Sequence, residues 1–218
     1  MEATPSDSPD VTPLPPDPAE PVAAPAPTTA QPTGVRRLGR AAHREIEHFN
    51  WRLTLANVLA SLLPHLCFAR LRTALYRAAG FRIGPRSLLL GRIYLSGTGR
   101  IQDRLEVGAD VIINAHCFFD LTGTISLGDF VAVGHHVQII TAEHEVGPSA
   151  CRAGPLHPRA IRVGNGAWIA AGATLLPGVQ IGASSVVAAG SVVSGNVPPH
   201  RAVGGNPARP LRALPETP

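Results

Sequence analysis

The stretch Val163-GNGAWIAAGATLLPGVQIGASSVVAAGSVVSGN-Val197 decides the fold. Within it Val163, Ile169, Leu175, Ile181, Val187 and Val193 are branched aliphatics spaced six apart. Two residues before each of the last five stand Ala167, Ala173, Val179, Ser185 and Ser191, all small or β-branched. A period of six matches neither the 3.6 of a helix nor the alternation of a strand. It is the period of a chain that turns a corner every six residues and buries one aliphatic at each, the signature of a β-helix coil.

The same frame extends upstream through Ile83, Leu89, Leu95, Ile101, Val107, Ile113 and Phe119, then restarts after two extra residues at Leu127, Val133 and Ile139. Residues 140–162 interrupt it with Thr141, Glu143, His144, Glu145, Pro148, Gly154, Pro155 and Pro158. Val163 then resumes 24 residues after Ile139, in the same phase. A chain that leaves and rejoins in register has extruded a loop, and loops on a rigid scaffold concentrate function. Sixteen frame positions at three per coil predict about five coils over residues 81–200, stacked as parallel strands. Val197-Pro198-Pro199 closes the run, since proline cannot continue the ladder, and residues 201–218 read as a C-terminal tail.

Composition agrees with a narrow interior: 44% of residues are hydrophobic but only 5% aromatic. Residues 1–34 are Pro- and Ala-rich without an apolar period and are predicted to be disordered. Residues 1–35 carry five acids and no base, which leaves the remainder at nineteen Arg against ten acids. A basic folded part favours an anionic partner. No basic stripe with interleaved aromatics and no zinc-finger spacing is present, so a nucleic-acid partner is not expected. Cys67, Cys117 and Cys151 are odd in number and far apart, so no disulfide framework or structural zinc is expected, and Cys117 reads as a small core residue. No secretory leader pattern opens the sequence, and the expected location is the cytoplasm, with membrane association on its cytoplasmic face left open.

Residues 35–80 read as helical. Leu53 to Ala69 is an uncharged run of 17 residues between arginines, marginal for a bilayer span and broken by Pro64 into two helices. Two readings stand: helices packed on the solenoid's end and on partner subunits, or a peripheral membrane contact through residues 51–79 with Trp51 and arginines at the headgroups.

The residues from Ala167 to Gly182, the closing Gly205-Asn206-Pro207-Ala208-Arg209 and Thr141-Ala142-Glu143-His144 together resemble the hexapeptide-repeat O-acetyltransferases. The match is to the maltose, galactoside and nodulation acetyltransferase group, in the branch that acts on bacterial surface polysaccharides. It covers about residues 70–212. The resemblance implies an all-β fold, a left-handed parallel β-helix preceded by N-terminal helices. It also implies a homotrimer, acetyl-CoA as co-substrate lying between subunits, a saccharide or related acceptor, and no required metal.

Residue by residue, the resemblance implies His144 as the catalytic base. Transfer of an acetyl group from a thioester to an alcohol needs a base near the hydroxyl, and imidazole titrates close to neutrality. Glu143, Glu145 or a main-chain carbonyl could orient that ring. Asn114 and Asp120 match the acceptor-site coil Ile113-Asn114-Ala115-His116-Cys117-Phe118-Phe119-Asp120. For coenzyme A the matching positions are Ala171, Ala189, Ser194, Gly195, Arg209 and Arg212, with Trp168 as a wall beside the groove. Ser194-Gly195 stands where the family often has Thr-Lys, so Arg201, Arg209 or Arg212 would replace one phosphate contact. Two alternatives remain at this point. One is a zinc site of the carbonic-anhydrase type, suggested by His116, His135 and His136 but lacking a histidine at Ile140. The other is a non-enzymatic scaffold, which would have no use for the extruded loop.

Overall fold

The computed structural model describes residues 50–64 and 66–216; the expected disordered segment 1–34 and the start of the helical segment lie outside them. Two helices, α1 (Trp51–Ser61) and α2 (Ala69–Ala78), lead into a parallel β-helix with three faces. Face 1 stacks Arg82–Ile83, Leu105–Val107, Ile125–Leu127, Ile161–Val163 and Gln180–Ile181. Face 2 stacks Leu88–Leu89, Ile112–Ile113, Ala132–Val133, Trp168–Ile169, Val186–Val187 and Arg201–Gly205. Face 3 stacks Tyr94–Ser96, Phe118–Asp120, Gln138–Ile139, Thr174–Leu175 and Val192–Val193. The result is five complete coils and a partial sixth.

The register explains the six-residue period. On face 2, Leu89, Ile113, Val133, Ile169, Val187 and Val203 are successive Cα partners, and all are buried. Face 3 repeats the device with Leu95, Phe119, Ile139, Leu175 and Val193. Each column is a continuous apolar stack, and burying one such side chain fully is worth about 1.5–3 kcal/mol. Positions just after the face 1 aliphatics must stay small, because the next coil lies against them. A Cβ on Gly164 would meet the Ala183 amide nitrogen at 2.6 Å, and one on Gly182 would meet Pro199 N at 2.3 Å.

Three departures from the sequence reading have physical causes. Ile101 is buried but lies in a 3-10 turn (Ile101–Arg104), so it plugs a corner and starts no strand. Its spacing counted an inward aliphatic, and turns bury aliphatics as strands do. The expected tail instead forms two strands, because Ala208–Ala213 folds back antiparallel on Arg201–Gly205 and covers the open edge of face 2. The interruption at 140–162 is ordered: Ala142–Val146 and Ala153–Pro158 pair as an antiparallel hairpin. Leu127 and Val163 are neighbours in face 1 although 36 residues separate them, against 18 between Val163 and Ile181, so the hairpin is an insertion that leaves the stack unbroken.

The helices close the first coil. Asn50 Oδ1 caps α1 by accepting from Leu53 N at 3.1 Å. Tyr76 on α2 donates to Asn57 Oδ1 at 2.8 Å, and burial pushes its phenol up to about 12. Thr73 Oγ1 accepts from Leu89 N at 3.0 Å, joining α2 to the first strand of face 2.

Candidate active site

The inserted hairpin leaves the solenoid at the corner between faces 3 and 1, and its root is tied by Asp120 and Thr141. Asp120 Oδ1 accepts from Thr122 N at 3.0 Å and Thr122 Oγ1 at 2.6 Å. Its Oδ2 accepts from Thr141 N at 3.0 Å, with Thr141 Oγ1 within 3.0 Å of Oδ2 and 2.7 Å of the Asp120 carbonyl. Burial pushes this carboxyl up, but the hydrogen bonds from Thr122 and Thr141 outweigh it and hold Asp120 below the usual carboxylate range. Asp120, expected at an acceptor hydroxyl, is thus buried, with Oδ1 occupied by Thr122 and Oδ2 by Thr141 at the hairpin's root.

On the hairpin His144 is exposed, and its Nδ1 lies 2.6 Å from the Gly154 carbonyl oxygen. A carbonyl can only accept, so Nδ1 carries the hydrogen and Nε2 of the neutral ring is the free acceptor. Strand alternation turns Glu143 and Glu145 to the opposite side of the hairpin. There Glu143 Oε1 pairs with Arg159 Nη1 at 3.2 Å and Glu145 Oε1 with His157 Nε2 at 2.8 Å. Neither carboxylate touches the imidazole; the main-chain carbonyl orients it.

Asn114 follows a face 2 strand and sits at the other edge of face 3, where its Nδ2 donates to the Val133 carbonyl at 2.9 Å. Ala171 and Ala189 occupy the same corner two and three coils further on, and both are exposed. In the same turn as Asn114, His116 stacks on His136 with ring centroids 5.1 Å apart and on Tyr94 at 6.5 Å, and Arg92 lies 4.9 Å over Tyr94. His135 and His136 are exposed, and among the described residues no three His, Cys, Asp or Glu side chains converge as a metal site. Cys117 is buried, with Sγ 3.1 Å from the Gly134 carbonyl, and burial pushes its thiol up to about 11, which removes it as a nucleophile.

At the C-terminal end, Ser194, Gly195, Arg201 and Arg209 line a cleft of about 480 Å³ between the last coil and the closing strand. A Cβ on Gly195 would meet nothing within 4 Å, so the cleft is open at that residue. Arg212 is exposed on the closing strand outside this lining, and Trp168 is exposed on face 2 between Ala132 and Val186. A larger groove of about 730 Å³ runs along face 1 past Glu106, Asp129, Arg162 and Asn165. Two of its polar groups are structural: Asp129 Oδ1 accepts from Ala109 N and Asn165 Oδ1 from Asp129 N.

The expected site residues therefore form two groups in one protomer. Asn114, Ala171 and Ala189 lie at the corner of faces 2 and 3; Asp120, His144, Ser194 and Gly195 lie at the corner of faces 3 and 1.

Comparison with known proteins agrees with this architecture. Residues 160–195 match the family model described as bacterial transferase hexapeptide (six repeats). A hexapeptide-repeat acetyltransferase of Vibrio cholerae O1 biovar eltor, solved in complex with acetyl coenzyme A, aligns with a TM-score of 0.67. Its identity is 30%, over 81% of this chain and 92% of that one. The chain belongs to the hexapeptide-repeat acetyltransferase family. A maltose O-acetyltransferase from Clostridium difficile 630 aligns at TM-score 0.68 and 26% identity, over 78% of this chain and 88% of that one. Nodulation protein L of Rhizobium meliloti (strain 1021) is 43% identical over 105 residues, which are 48% of this chain and 57% of that protein. The chain spans little more than half the length of the curated relatives it matches.

Within this member of the family, sequence reasoning gave no contact to Thr141, Gly154, Arg159 or Tyr94. Tyr94 was visible in principle, because coil-to-coil register places it beside Phe118 and next to the His116 turn. Gly154 was not: its role is carried by a carbonyl, which no side-chain pattern records.

Proposed function

We propose that this chain transfers an acetyl group from acetyl-CoA to a hydroxyl of a saccharide acceptor, with His144 as general base. The observation that carries the reading is the contact between His144 Nδ1 and the Gly154 carbonyl, which presents Nε2 as a base on an exposed hairpin edge. Nε2 takes the proton of the acceptor hydroxyl while its oxygen bonds to the thioester carbonyl carbon. The carbon–sulfur bond then breaks, and the imidazolium returns the proton to the departing sulfur. Asn114, one of whose amide hydrogens is held by Val133, has a second N–H to offer the oxyanion.

The residues present fit the co-substrate. Ser194 and Gly195 leave room at the cleft, and Arg201 and Arg209 line it as donors to phosphate. Arg212 adds a cation on the same closing strand, while Ala171 and Ala189 offer a small-residue path along the coils with Trp168 as a wall beside it. Asp120 we assign to positioning the hairpin, not to the acceptor, and Glu143 and Glu145 to stiffening it through Arg159 and His157.

Division of these groups between two edges of face 3 supports a site shared between copies in a homotrimer. Face 2 also presents Leu88, Ile112, Ala132, Trp168 and Val186 outward, an apolar row, where face 1 presents Arg82, Glu106, Ser126, Arg162 and Gln180. The vibrio relative's complex with acetyl coenzyme A and the clostridial relative's activity on maltose point to the same chemistry. The test is thiol release from acetyl-CoA with a panel of free, oligomeric and nucleotide-linked sugars, with mass detection of the product. Acceptor-dependent release that disappears in His144→Ala is the expected result; release that persists in that variant would overturn the assignment.

A further inference from the structure

Helix α1 carries two apolar stripes, and the solenoid covers one of them. Leu53, Ala56 and Ala60 are buried against the body of the protein. Trp51, Leu55, Val58, Leu59 and Leu62 form a second stripe at helical spacing, and all five are exposed. The stripe continues over the turn and into α2 through Leu66, Phe68 and Leu71. At the turn itself Leu62 is 74% exposed, Leu66 66% and Phe68 60%. A helix apolar on both sides is stable only when both are covered, and among the described residues this second stripe has no partner.

The turn that displays these residues is held rigidly. Arg72 is fully buried, and its guanidinium donates to the carbonyls of Pro64 at 3.0 Å, Leu89 at 3.1 Å, Leu63 at 3.2 Å and Cys67 at 3.3 Å. Four carbonyls on one buried cation tie the turn to the first coil.

Charge selects the occupant. From Asn50 to Gln102 the sequence has no Asp or Glu and eight Arg, of which Arg82, Arg86 and Arg100 pair with Asp103 or Asp110 and Arg72 is buried. Arg52 lies 5.9 Å over the Trp51 ring, and Arg52 and Arg70 are exposed on the two helices, while the Arg77 guanidinium donates to the carbonyls of Ile83 and Gly84. Upstream, Arg36, Arg37, Arg40 and Arg44 outnumber Glu45 and Glu47. A second copy docked two-fold on the same stripe would bring Arg52 and Arg70 against their own counterparts, with no acid on either helix to pair them. The acidic segment 1–34 has charge of the right sign, but its only large aliphatics are Val11, Leu14 and Val22. An anionic bilayer surface supplies both an apolar layer and negative headgroups, with Trp and Arg at the boundary between them. Among the described residues no helix is long and apolar enough to cross a membrane, so the contact is interfacial.

We infer that the hairpin of α1 and α2 seats this protein on an anionic lipid surface, with Leu62, Leu66 and Phe68 entering the headgroup layer and Arg52 and Arg70 pairing with phosphates. This rests on the hairpin alone and does not depend on the acetyl-transfer reading.

The test is co-sedimentation of the 218-residue chain with vesicles of phosphatidylcholine, and with vesicles in which about a third of the lipid is phosphatidylglycerol. Binding to the anionic vesicles alone is expected. It should weaken at least about tenfold in Leu62→Glu with Leu66→Glu, and several-fold in Arg52→Gln with Arg70→Gln, the latter difference vanishing at high salt. Because these side chains are exposed, melting temperature and oligomer mass should stay unchanged. Absence of vesicle binding, or equal binding by the leucine variant, overturns the inference. So does a change in oligomer mass in that variant, which would make the stripe an interface between copies. Binding that appears only after removal of residues 1–34 would make that segment the occupant and equally overturn it.

Discussion

His144 Nδ1 lies 2.6 Å from the carbonyl oxygen of Gly154, ten residues further along and on the returning strand of the hairpin. The contact fixes which nitrogen carries the hydrogen and where the other one points. His144→Ala is expected to lower kcat by about 10²–10⁴, the usual weight of general-base catalysis. Because the side chain is exposed, the melting curve should barely move. Both are checked by thiol-release kinetics beside thermal unfolding of the same preparation.

The carbonyl itself can be displaced. A Cβ on Gly154 would sit 2.9 Å from the Glu145 carbonyl oxygen, closer than packed backbone tolerates. Gly154→Ala is expected to open the hairpin locally and lower kcat about ten- to a hundredfold, with KM for acetyl-CoA unchanged, since no hairpin residue lines the C-terminal cleft. A KM effect of similar size would mean the hairpin helps to hold the cofactor instead.

Asp120 ties the hairpin to face 3, and its charge makes that tie dependent on pH. The folded carboxyl is held below its ordinary 3.8 by Thr122 and Thr141, against the upward push of burial. A depressed value means the stabilisation is complete above the unfolded value and fades as pH falls through the folded one. Asp120→Asn should therefore cost about 1–3 kcal/mol near neutrality, and the gap to the parent should close in the acid range below 3.8. Chemical denaturation at a series of pH values measures both.

Arg209 lines the C-terminal cleft with Ser194 and Gly195. If it meets a phosphate, Arg209→Ala should raise KM for acetyl-CoA by about ten- to a hundredfold while leaving kcat within about twofold. Steady-state kinetics at two salt concentrations would show the parent's advantage shrinking as salt rises.

A site shared between copies predicts complementation. Asn114→Ala and His144→Ala should each be nearly inactive as pure oligomers. Refolded together in equal amounts, about a quarter of the interfaces would combine the intact edge of one variant with the intact edge of the other. Activity in the mixture near that fraction of the parent's is expected, and a mixture as inactive as its components would place the whole site within one protomer.

Much of this protein could be read from its residues because its main regularity is local. Each six-residue unit carries one inward apolar residue, so the sixteen frame positions, fifteen aliphatics and Phe119, marked the faces before any contact was known. The phase of Val163 relative to Ile139 also announced an insertion. The same signal misread Ile101, since a buried aliphatic in a 3-10 turn keeps the period without forming a strand. The surroundings of Asp120 were hidden for a different reason: they are set in part by Thr141, twenty-one residues away, which meets it only through coil stacking.

Sequence alone, then, determined the coil, the three faces and the presence of His144 on an insertion, because burial once per corner is written into consecutive residues. Tertiary structure decided what those parts do to one another. It set the imidazole on a main-chain carbonyl, buried Asp120 as a tie, and placed Asn114 and His144 on opposite edges of face 3. These depend on how many residues each coil takes before it stacks on the last, and on which strand returns beside which. Such facts belong to the packed molecule, since backbone groups and long-range register leave no mark on residue type.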